Sequence, residues 1–599
     1  MRVADLVADF LIKNGVTHNF MVTGGGAMQL NDALGHREEL KCIYNHNEQG
    51  CAIAAESYAR VTGRIASVCV TSGPGGTNAI TGVVGGWLDS IPMFILSGQV
   101  KRETTLKSVP DLDLRQLGDQ EFNITDAVNT MTKYSVMVDD AAMILYHLEK
   151  AWFLANHGRK GPVWLDIPLD IQGAKVDEDK LIHFCPEKEG YSVATPSVSK
   201  ETVISVLDKI RKAKSPVIFA GYGVRLADAA DDLLRLVEKL KIPVAVAWNS
   251  GDLIAYDNPY YAGSPSREGT RGSSFIVQNA DLILVLGSRM NIRTITYNKN
   301  DFAKNAYKVM VDIDENELKK PTFIPDMPIC ADVKDFIQKA LECDYEISPL
   351  HEKWVTWTRM MVEKYPACLP EYHSGEKLNP YVFVDKLFDN MQEKDILTLG
   401  NGSACVMCFA GAKIKQGQRM YTNSGCAAMG YGMPAALGAA VAALGTDRRV
   451  ICVDGDGSIM MNLQELETIS YNKLPAKIFI LNNNGYHSIR QTQTNLFKGK
   501  LIGIDPSNGV GFPRWELLAK AFGFEYRELS SENECNRVIE EVLNAPEPVF
   551  CNVIVDEKQN FVPKLSSKVL EDGSIVSPSM DDMYPFLSRE EYEGNKFLC

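Results

Sequence analysis

Short apolar segments alternate with helix-length amphipathic segments along this chain, and the alternation occurs in three successive stretches. In the first stretch, residues 1–175, a predicted helix spans 3–14 and Gly15 ends it. The predicted strands are the apolar runs at 19–22, 66–71, 93–96 and 163–167. Strands that are separated by helices in this way are typical of a doubly wound parallel sheet, so we predict an α/β domain here.

The other two stretches repeat this pattern. Residues 196–345 have a predicted helix over 225–240 and predicted strands at 217–220, 244–246, 282–286 and 309–313. Residues 380–556 have predicted strands at 396–399, 450–453 and 478–481. The polar segments 176–198 and 343–378 are predicted linkers, and 557–599 is a predicted irregular tail or lid. Three α/β domains of similar size account for the 599 residues.

Composition excludes several classes of protein. The chain has 62 Lys and Arg against 76 Asp and Glu, a net charge of −14, which argues against non-specific nucleic-acid binding. Its best candidate for a membrane span, Gly430 to Gly445, is too short and contains Pro434. Because an amphipathic pattern starts at Val3, we expect no signal peptide. The 14 scattered cysteines indicate free thiols in a reducing cytoplasm.

Two polar loops follow predicted strands of the third domain. The segment from Asp454 to Ser458 follows the strand at 450–453, and a run of three asparagines, Gly485 and Tyr486 follows the strand at 478–481. The carboxyl ends of parallel strands form the ligand-binding edge of a sheet, so the two loops can meet. Asp456, Asn483 and the Gly485 carbonyl would then offer oxygen ligands to Mg²⁺. Either loop alone is typical of a plain turn, but their joint occurrence at two strand ends favours a site.

These residues resemble the signature of the thiamine diphosphate (ThDP) enzymes, in which Gly-Asp-Gly is followed at a characteristic spacing by Asn-Asn. The segments 47–60, 71–78 and 429–434 are similar to acetolactate synthase and its relatives. The resemblance implies a pyrimidine-binding domain, a modified middle domain and a diphosphate-binding domain, in that order.

The resemblance also implies roles for individual residues. Glu48 would hydrogen-bond the cofactor's aminopyrimidine ring and so promote its activation, while the protein supplies orientation and electrostatics. Met429 would support the bent cofactor, and the Ala427 carbonyl would accept a hydrogen bond from its amino group. Further cofactor contacts are implied at Ser72, Gly402, Ser403, Gly457, Ser458 and Tyr486.

The substrate side departs from acetolactate synthases. The loop with Gly25 and Gly26 matches the glycine-rich loop over the substrate pocket, and Gln120 matches a pocket glutamine. Asp119 replaces an aromatic residue, Ser488 and Thr492 replace Met and Trp, and Asn47 replaces His. By this resemblance, the changes to Thr492 and Asp119 open and polarise the acceptor pocket. His487 and Arg490 are either polar contacts in that pocket or surface residues.

The middle domain carries weaker signals. Its Gly221-Tyr222-Gly223 lacks the third glycine of a dinucleotide fingerprint. The segments 287–289 and 311–314 and Arg293 resemble those that hold FAD in acetolactate synthase relatives, so bound FAD stays an open alternative. Cys405 and Cys408 form a CxxC without a second pair, which favours core thiols over zinc.

The sequence therefore predicts a Mg²⁺- and ThDP-dependent carboligase or decarboxylase that uses a 2-keto acid donor. We expect transfer of a two-carbon unit from pyruvate to a polar carbonyl such as a keto-deoxysugar nucleotide. Condensation of two pyruvates to acetolactate is an alternative, and a non-catalytic paralogue that binds nucleotide is another. In the family that it resembles, the cofactor lies between the first domain of one subunit and the third of another. The resemblance therefore implies a homodimer or homotetramer.

Overall fold

Three parallel β-sheets, each flanked by helices, form the molecule in a computed structural model that describes residues 1–497, 499–569 and 575–598. The sheets have six, five and six strands. They fall within residues 1–175, 196–345 and 380–556, the three stretches that alternate in the sequence. The prediction of three doubly wound α/β domains is confirmed.

The first sheet has the strand order β2-β1-β3-β4-β6-β5, with every neighbouring pair parallel. Its strands are β1 His18–Met21, β2 Lys41–Tyr44, β3 Ser67–Val70, β4 Phe94–Gln99, β5 Tyr134–Met137 and β6 Val163–Pro168. Its helices are α1 Val3–Lys13, α2 Met28–Gly35, α3 Glu48–Thr62, α4 Pro74–Asp89, α5 Ile124–Val128, α6 Ile144–Asn156 and α7 Leu169–Gly173. Strands β3, β4 and β6 are buried along their whole length, as parallel strands covered on both faces should be.

The middle sheet has the order β11-β10-β9-β7-β8. Its strands are β7 Pro216–Ala220, β8 Val244–Val246, β9 Leu282–Leu286, β10 Tyr307–Asp312 and β11 Met327–Cys330. The helices around it are α8 Lys200–Lys212, α9 Gly223–Leu226, α10 Ala230–Leu240, α11 Arg271–Gln278, α12 Ile292–Ile295, α13 Glu315–Lys319, α14 Val333–Glu342 and α15 His351–Lys364.

The third sheet has the order β13-β12-β14-β15-β17-β16. Its strands are β12 Ile396–Leu399, β13 Arg419–Tyr421, β14 Val450–Gly455, β15 Ala476–Asn482, β16 Glu525–Leu529 and β17 Val549–Ile554. Its helices are α16 Pro380–Asn390, α17 Ser403–Gly411, α18 Gly432–Ala443, α19 Asp456–Ile459, α20 Glu465–Tyr471, α21 His487–Leu496, α22 Trp515–Ala521 and α23 Cys535–Asn544. The tail adds a two-stranded antiparallel ribbon, β18 Lys568–Val569 with β19 Ile575–Val576, and α24 Arg589–Gly594.

Helices α3 and α18 join the first and third domains at very short range. A β-carbon built on Gly438 would lie 2.0 Å from the Ala54 carbonyl oxygen, so the two backbones touch and a side chain does not fit there. Ser57 donates to the Ala435 carbonyl at 2.6 Å, and the Tyr431 hydroxyl donates to Glu56 at 2.7 Å. These buried contacts fix the two domains against each other.

Two predicted boundaries were wrong. The helix predicted over 225–240 is two helices, α9 and α10, because the chain turns between them and Asp228 takes a φ of +53°. The predicted linker 343–378 contains α15, whose buried Trp354 donates to the Pro216 carbonyl at 2.9 Å. This helix is stabilised by packing on the middle domain rather than by a regular apolar stripe in its own sequence.

The C-terminal tail is fastened to the middle domain in its described part. Arg271 donates to the carbonyls of Met583 and Pro585 at 3.1 and 2.6 Å. The ring of Phe597 lies 4.9 Å from that of Trp354. The tail is therefore a packed extension with a helix of its own, not an irregular segment. Among the described residues, no helix has both the length and the apolar character needed to cross a bilayer.

Candidate active site

Two loops of the third domain meet at the carboxyl edge of its sheet. Because β14 and β15 are neighbouring parallel strands, the segments that follow them leave the sheet side by side. Asp456 begins α19 directly after β14, and its carboxylate accepts N–H bonds from Gly457 at 2.7 Å and from Gly485 at 2.9 Å. The structure therefore brings the Asp456 carboxylate into direct contact with the Gly485 backbone.

These loops contain one buried oxygen without a partner and one buried carboxylate. Nδ2 of Asn483 donates to Ser403 Oγ at 3.0 Å, whereas its buried Oδ1 has no hydrogen-bond partner among the described residues. Burial raises the pKa of Asp456 to about 7, because the charged form loses its hydration. An unpaired buried oxygen and a buried carboxylate both cost free energy. A bound cation would offset both costs.

The oxygen donors at this edge fit Mg²⁺. A carboxylate, a side-chain amide and a backbone carbonyl are hard ligands of the kind that Mg²⁺ prefers. No cluster of three or more His, Cys, Asp or Glu side chains that could hold a metal occurs in the described part of the chain. Mg²⁺ completes its coordination with phosphate oxygens and water. Asp456, Asn483 and Gly485 would hold the ion together with a diphosphate.

Arg490 braces the second loop, a role that the sequence did not indicate. Its guanidinium donates to the carbonyls of Asn483 at 3.0 Å and Asn484 at 2.6 Å. Gly485, which follows Asn484, has a φ of +136°, and a β-carbon there would lie 2.4 Å from the Ile504 carbonyl oxygen. A side chain at this position would therefore be both strained and blocked.

The loop after β12 offers a helix start to an anion. Gly402 has a φ of +100° and precedes α17, which begins at the buried Ser403. Unpaired N–H groups at a helix N-terminus favour phosphate oxygens. Ser458, predicted to contact diphosphate, already accepts the Gly430 N–H through Oγ at 2.9 Å. Its hydroxyl thus also holds the neighbouring loop in place.

That neighbouring loop carries the residues predicted to contact the cofactor's pyrimidine. Ala427 has a left-handed φ of +55°, and its carbonyl accepts from Asn401 Nδ2 at 2.6 Å. Its N–H donates to the Asn423 carbonyl at 2.7 Å. Met429 is half-buried two residues later. The Ala427 carbonyl keeps a second lone pair for another donor.

Glu48 lies in the first domain, at the start of α3. The Asn47 side chain caps this helix by accepting the Gln49 N–H at 2.8 Å. The Glu48 carboxylate is buried and accepts from Asn78 Nδ2 at 3.0 Å. With this one hydrogen bond, the carboxylate still has lone pairs that can accept another.

Comparison with known proteins gives three matches that together reach into every domain. Residues 1–125 match the "Thiamine pyrophosphate enzyme, N-terminal TPP binding domain", 203–340 the central domain and 400–553 the C-terminal TPP binding domain. The acetolactate synthase isozyme 1 large subunit of Escherichia coli is 30% identical over 94% of this chain and 95% of that protein. The chain belongs to the thiamine pyrophosphate enzyme family.

Other relatives place it among the acetolactate synthase-like members of the thiamine pyrophosphate enzymes. Acetolactate synthase 2 of Nicotiana tabacum is 31% identical over 94% of this chain and 83% of that protein. A probable acetolactate synthase large subunit of Methanococcus aeolicus is 30% identical over 97% of this chain and 94% of that protein. The chain is thus a ThDP-dependent enzyme of the carboligase type.

In this thiamine pyrophosphate enzyme the predicted substrate loops lie together in the first domain. Gly26 donates its N–H to Thr71 Oγ1 at 3.0 Å, and a β-carbon on it would lie 2.5 Å from Ser72 Oγ. Gln120 is exposed and has a φ of +61°, and its carbonyl oxygen would lie 2.5 Å from a β-carbon on Gly73. Gly25 is exposed beside Gly26. Glycines therefore let three loop segments approach one another here.

His487 and Arg490 differ from both interpretations that the sequence left open. His487 is 5% exposed and packs edge-on against Phe561, so it is neither a surface residue nor an open polar contact. Burial lowers its pKa to about 4, which keeps the ring neutral. Arg490 is turned inward onto the loop that it braces. Ser488 and Thr492, in contrast, are exposed on α21.

A cavity of about 630 Å³ lies at the carboxyl edge of the middle sheet. Its lining includes the segments that resemble FAD-binding ones: Tyr222, Gly223, Gly287, Ser288, Arg289, Arg293, Asp312 and Ile313. Arg289 and Arg293 would attract phosphate groups. Burial raises the pKa of Asp312 to about 6. The size and the donors of this cavity fit a dinucleotide.

Cys405 and Cys408 both point into the core of the third domain. Both thiols are buried on α17 and unbridged, and burial raises the pKa of Cys405 to about 11. A buried neutral thiol is a poor metal ligand. This agrees with the prediction of core thiols.

Proposed function

We propose that this enzyme transfers a two-carbon unit from pyruvate to a polar carbonyl acceptor such as a keto-deoxysugar nucleotide. The observation that carries the proposal is the exposure of Asp119, Ser488 and Thr492, at positions where the acetolactate synthases have larger, apolar residues. Open polar side chains can hydrogen-bond a hydroxylated acceptor, whereas a second small keto acid needs a tighter pocket.

The residues divide the work of the proposed reaction between two domains. When bound, ThDP supplies a nucleophilic carbon and an electron sink for decarboxylation. Asp456, Asn483 and Gly485 would hold its diphosphate through Mg²⁺, and the start of α17 would add N–H donors. Glu48 would hydrogen-bond the pyrimidine ring, the Ala427 carbonyl would accept from its amino group, and Met429 would support its bent shape. Gly25, Gly26 and Gln120 would position the donor.

The arrangement of α3 supports a homodimer with shared active sites. Within one chain, Tyr431 meets Glu56 of α3. Glu48 lies eight residues earlier on this helix, which is about 12 Å along its axis. Glu48 is thus separated along α3 from the residue that meets Tyr431. A second chain, in a dimer or a pair of dimers, would bring a Glu48 to the Ala427–Met429 loop.

We also propose that the middle-domain cavity binds FAD and that the enzyme acts in the cytoplasm. The cavity's volume and the guanidinium groups of Arg289 and Arg293 support the flavin. The absorption spectrum of the purified protein tests it, because bound flavin absorbs near the blue end of the visible range.

Acetolactate formation is the second candidate, and the names of the relatives favour it. The purified enzyme should be incubated with ThDP, Mg²⁺ and pyruvate, with and without a panel of 4-keto-deoxysugar nucleotides, and the products identified by mass spectrometry. The proposal expects a product with two added carbons only when a keto-sugar is present. Rapid acetolactate production without a sugar would refute it. The absence of both CO₂ release and ThDP binding would favour the non-catalytic alternative.

A further inference from the structure

The carboxylate of Asp89 touches all three domains. This residue ends α4 of the first domain and is 9% exposed. Its Oδ2 accepts from Arg60 at 2.7 Å and from Asn249 of the middle domain at 3.3 Å. Its Oδ1 accepts the Gly425 N–H of the third domain at 3.0 Å. Arg289 of the middle domain lies 3.7 Å from Oδ1. One carboxylate thus links the three domains.

Asp89 and Asn249 hydrogen-bond residues 422–425, the segment that leads into the loop with Ala427 and Met429. Asn249 Nδ2 donates to the Thr422 carbonyl at 2.7 Å and to Ser424 Oγ at 3.0 Å. The Gly425 N–H donates to Asp89, and a β-carbon on Gly425 would lie 2.7 Å from Asp89 Oδ1. The position of residues 422–425, and hence of the pyrimidine loop that follows, depends on these contacts.

The same side chains line the cavity of the middle domain. Asp89, Asn249, Arg289, Ser424 and Gly425 all face it. A ligand in the cavity would therefore touch the groups that hold the pyrimidine loop. One carboxylate therefore contacts both the cavity and the segment that leads into the pyrimidine loop.

The charges around Asp89 determine how an anionic ligand in the cavity would change its contacts. A carboxylate at the C-terminus of a helix is disfavoured by the helix dipole, so Asp89 depends on its cationic partners. Arg60 is fully buried and shares its guanidinium between Asp89 and Glu56. Arg289 is partly exposed toward the cavity. Phosphate groups in the cavity would draw Arg289 away and leave the Asp89 carboxylate to Arg60, Asn249 and the Gly425 N–H.

We propose that Asp89 is a positioning residue that couples occupancy of the cavity by an anionic dinucleotide to the binding of ThDP. The inference rests on the proposed function, since it needs ThDP at the 427–429 loop. Occupancy of the cavity strengthens the Asp89–Gly425 contact and fixes that loop for the pyrimidine. Because coupling between sites is reciprocal, ThDP strengthens dinucleotide binding by the same factor.

Calorimetric titration of ThDP in Mg²⁺ tests the coupling, with FAD as the cavity probe. Saturating FAD should lower the Kd of ThDP by about fivefold or more in the wild-type enzyme, the low end of common coupling strengths. In Asp89→Asn this ratio should fall below about twofold while both compounds still bind. Asp332→Asn is the matched control, because Asp332 also lines the cavity but is not a partner of the 422–425 segment. It should keep the wild-type ratio.

The variant Gly425→Ala removes the contact between Asp89 and residue 425 and leaves the charge of Asp89 unchanged. It forces Asp89 and residue 425 apart and keeps the Asp89–Arg60 ion pair, so it should also abolish the coupling. If Asp89→Asn does not fold, Gly425→Ala still tests the coupling. Equal ThDP affinity with and without FAD in the wild type, or full coupling in either variant, would overturn this inference and leave the proposed function standing. A wild-type enzyme that binds no ThDP would overturn the proposed function and this inference with it.

Discussion

Asp454 and Asp456 form a matched pair for testing the metal site. Asp454 lies near the end of β14 and Asp456 at the start of α19; both carboxylates are buried, and burial raises the pKa of each to about 7. Only Asp456 accepts the Gly485 N–H, whereas Asp454 packs against Gly400 and Gly432. We predict that Asp456→Asn abolishes Mg²⁺-dependent ThDP binding and that Asp454→Asn leaves most of it.

The magnitude follows from the contacts of Asp456. An amide keeps one acceptor and turns its NH₂ toward either the Gly457 or the Gly485 N–H, so one hydrogen bond is lost at a cost of about 1–3 kcal/mol. The remaining predicted oxygen ligands of Mg²⁺, the Asn483 amide and the Gly485 carbonyl, are neutral. We therefore expect the Kd of ThDP in Mg²⁺ to rise at least about 100-fold, which corresponds to about 2.7 kcal/mol.

The assay is calorimetric titration of ThDP at pH 8, with Mg²⁺ and again with EDTA, for the wild type and both variants. Thermal denaturation of each ligand-free protein shows whether the variants fold. Mg²⁺-dependent binding by Asp456→Asn within a few-fold of the wild type would refute the assignment. An equal loss in Asp454→Asn would show that burial of charge in this loop, not metal ligation, accounts for the effect.

Three further predictions concern single side chains. Glu48→Gln keeps an acceptor for Asn78, so turnover should fall about 10²–10⁴-fold with little change in the Kd of ThDP; unchanged turnover would contradict the role of Glu48. Arg490→Met should weaken Mg²⁺-dependent ThDP binding about 10–100-fold, with partial recovery in Arg490→Lys; wild-type affinity in Arg490→Met would exclude the bracing role. Burial raises the pKa of Asp166 to about 7, whereas the pKa of an aspartate in the unfolded chain is about 3.9. The contribution of the protonated Asp166 to folding stability is therefore full below pH 4 and is lost as the pH rises to 7. Urea titrations should show the stability of Asp166→Asn relative to the wild type rising by about 1.4 kcal/mol per pH unit between pH 5 and 7; a constant difference would disprove this.

The strands and the loops that follow them could be predicted because their signals are local. An apolar run followed by Gly, Asp or Asn defines both a buried strand and its end, so the loops with Asp456 and Asn483 could be located from the chain alone. The order of parallel strands then placed these loops side by side. The assignment of Glu48 needed more, because a glutamate at a helix start has no distinctive local pattern; it depended on the family resemblance.

Other features depend on contacts between distant segments. The helix α15 was missed because its buried face, around Trp354, is complementary to the middle domain rather than strongly periodic. Arg490 was left between two interpretations, since only the fold shows its guanidinium turned back onto the Asn483 and Asn484 carbonyls. A long side chain can reach in several directions, and the sequence does not specify which.

The sequence by itself determined the three α/β domains, the loops at their strand ends and the residue types available to a metal and a diphosphate. These follow from patterning and turn chemistry, which act over a few residues. The tertiary structure alone decided which side chains are left without partners, as at Asn483 Oδ1, and which are shared between domains, as at Asp89. Such properties arise from burial and from packing across hundreds of residues, so no local pattern encodes them.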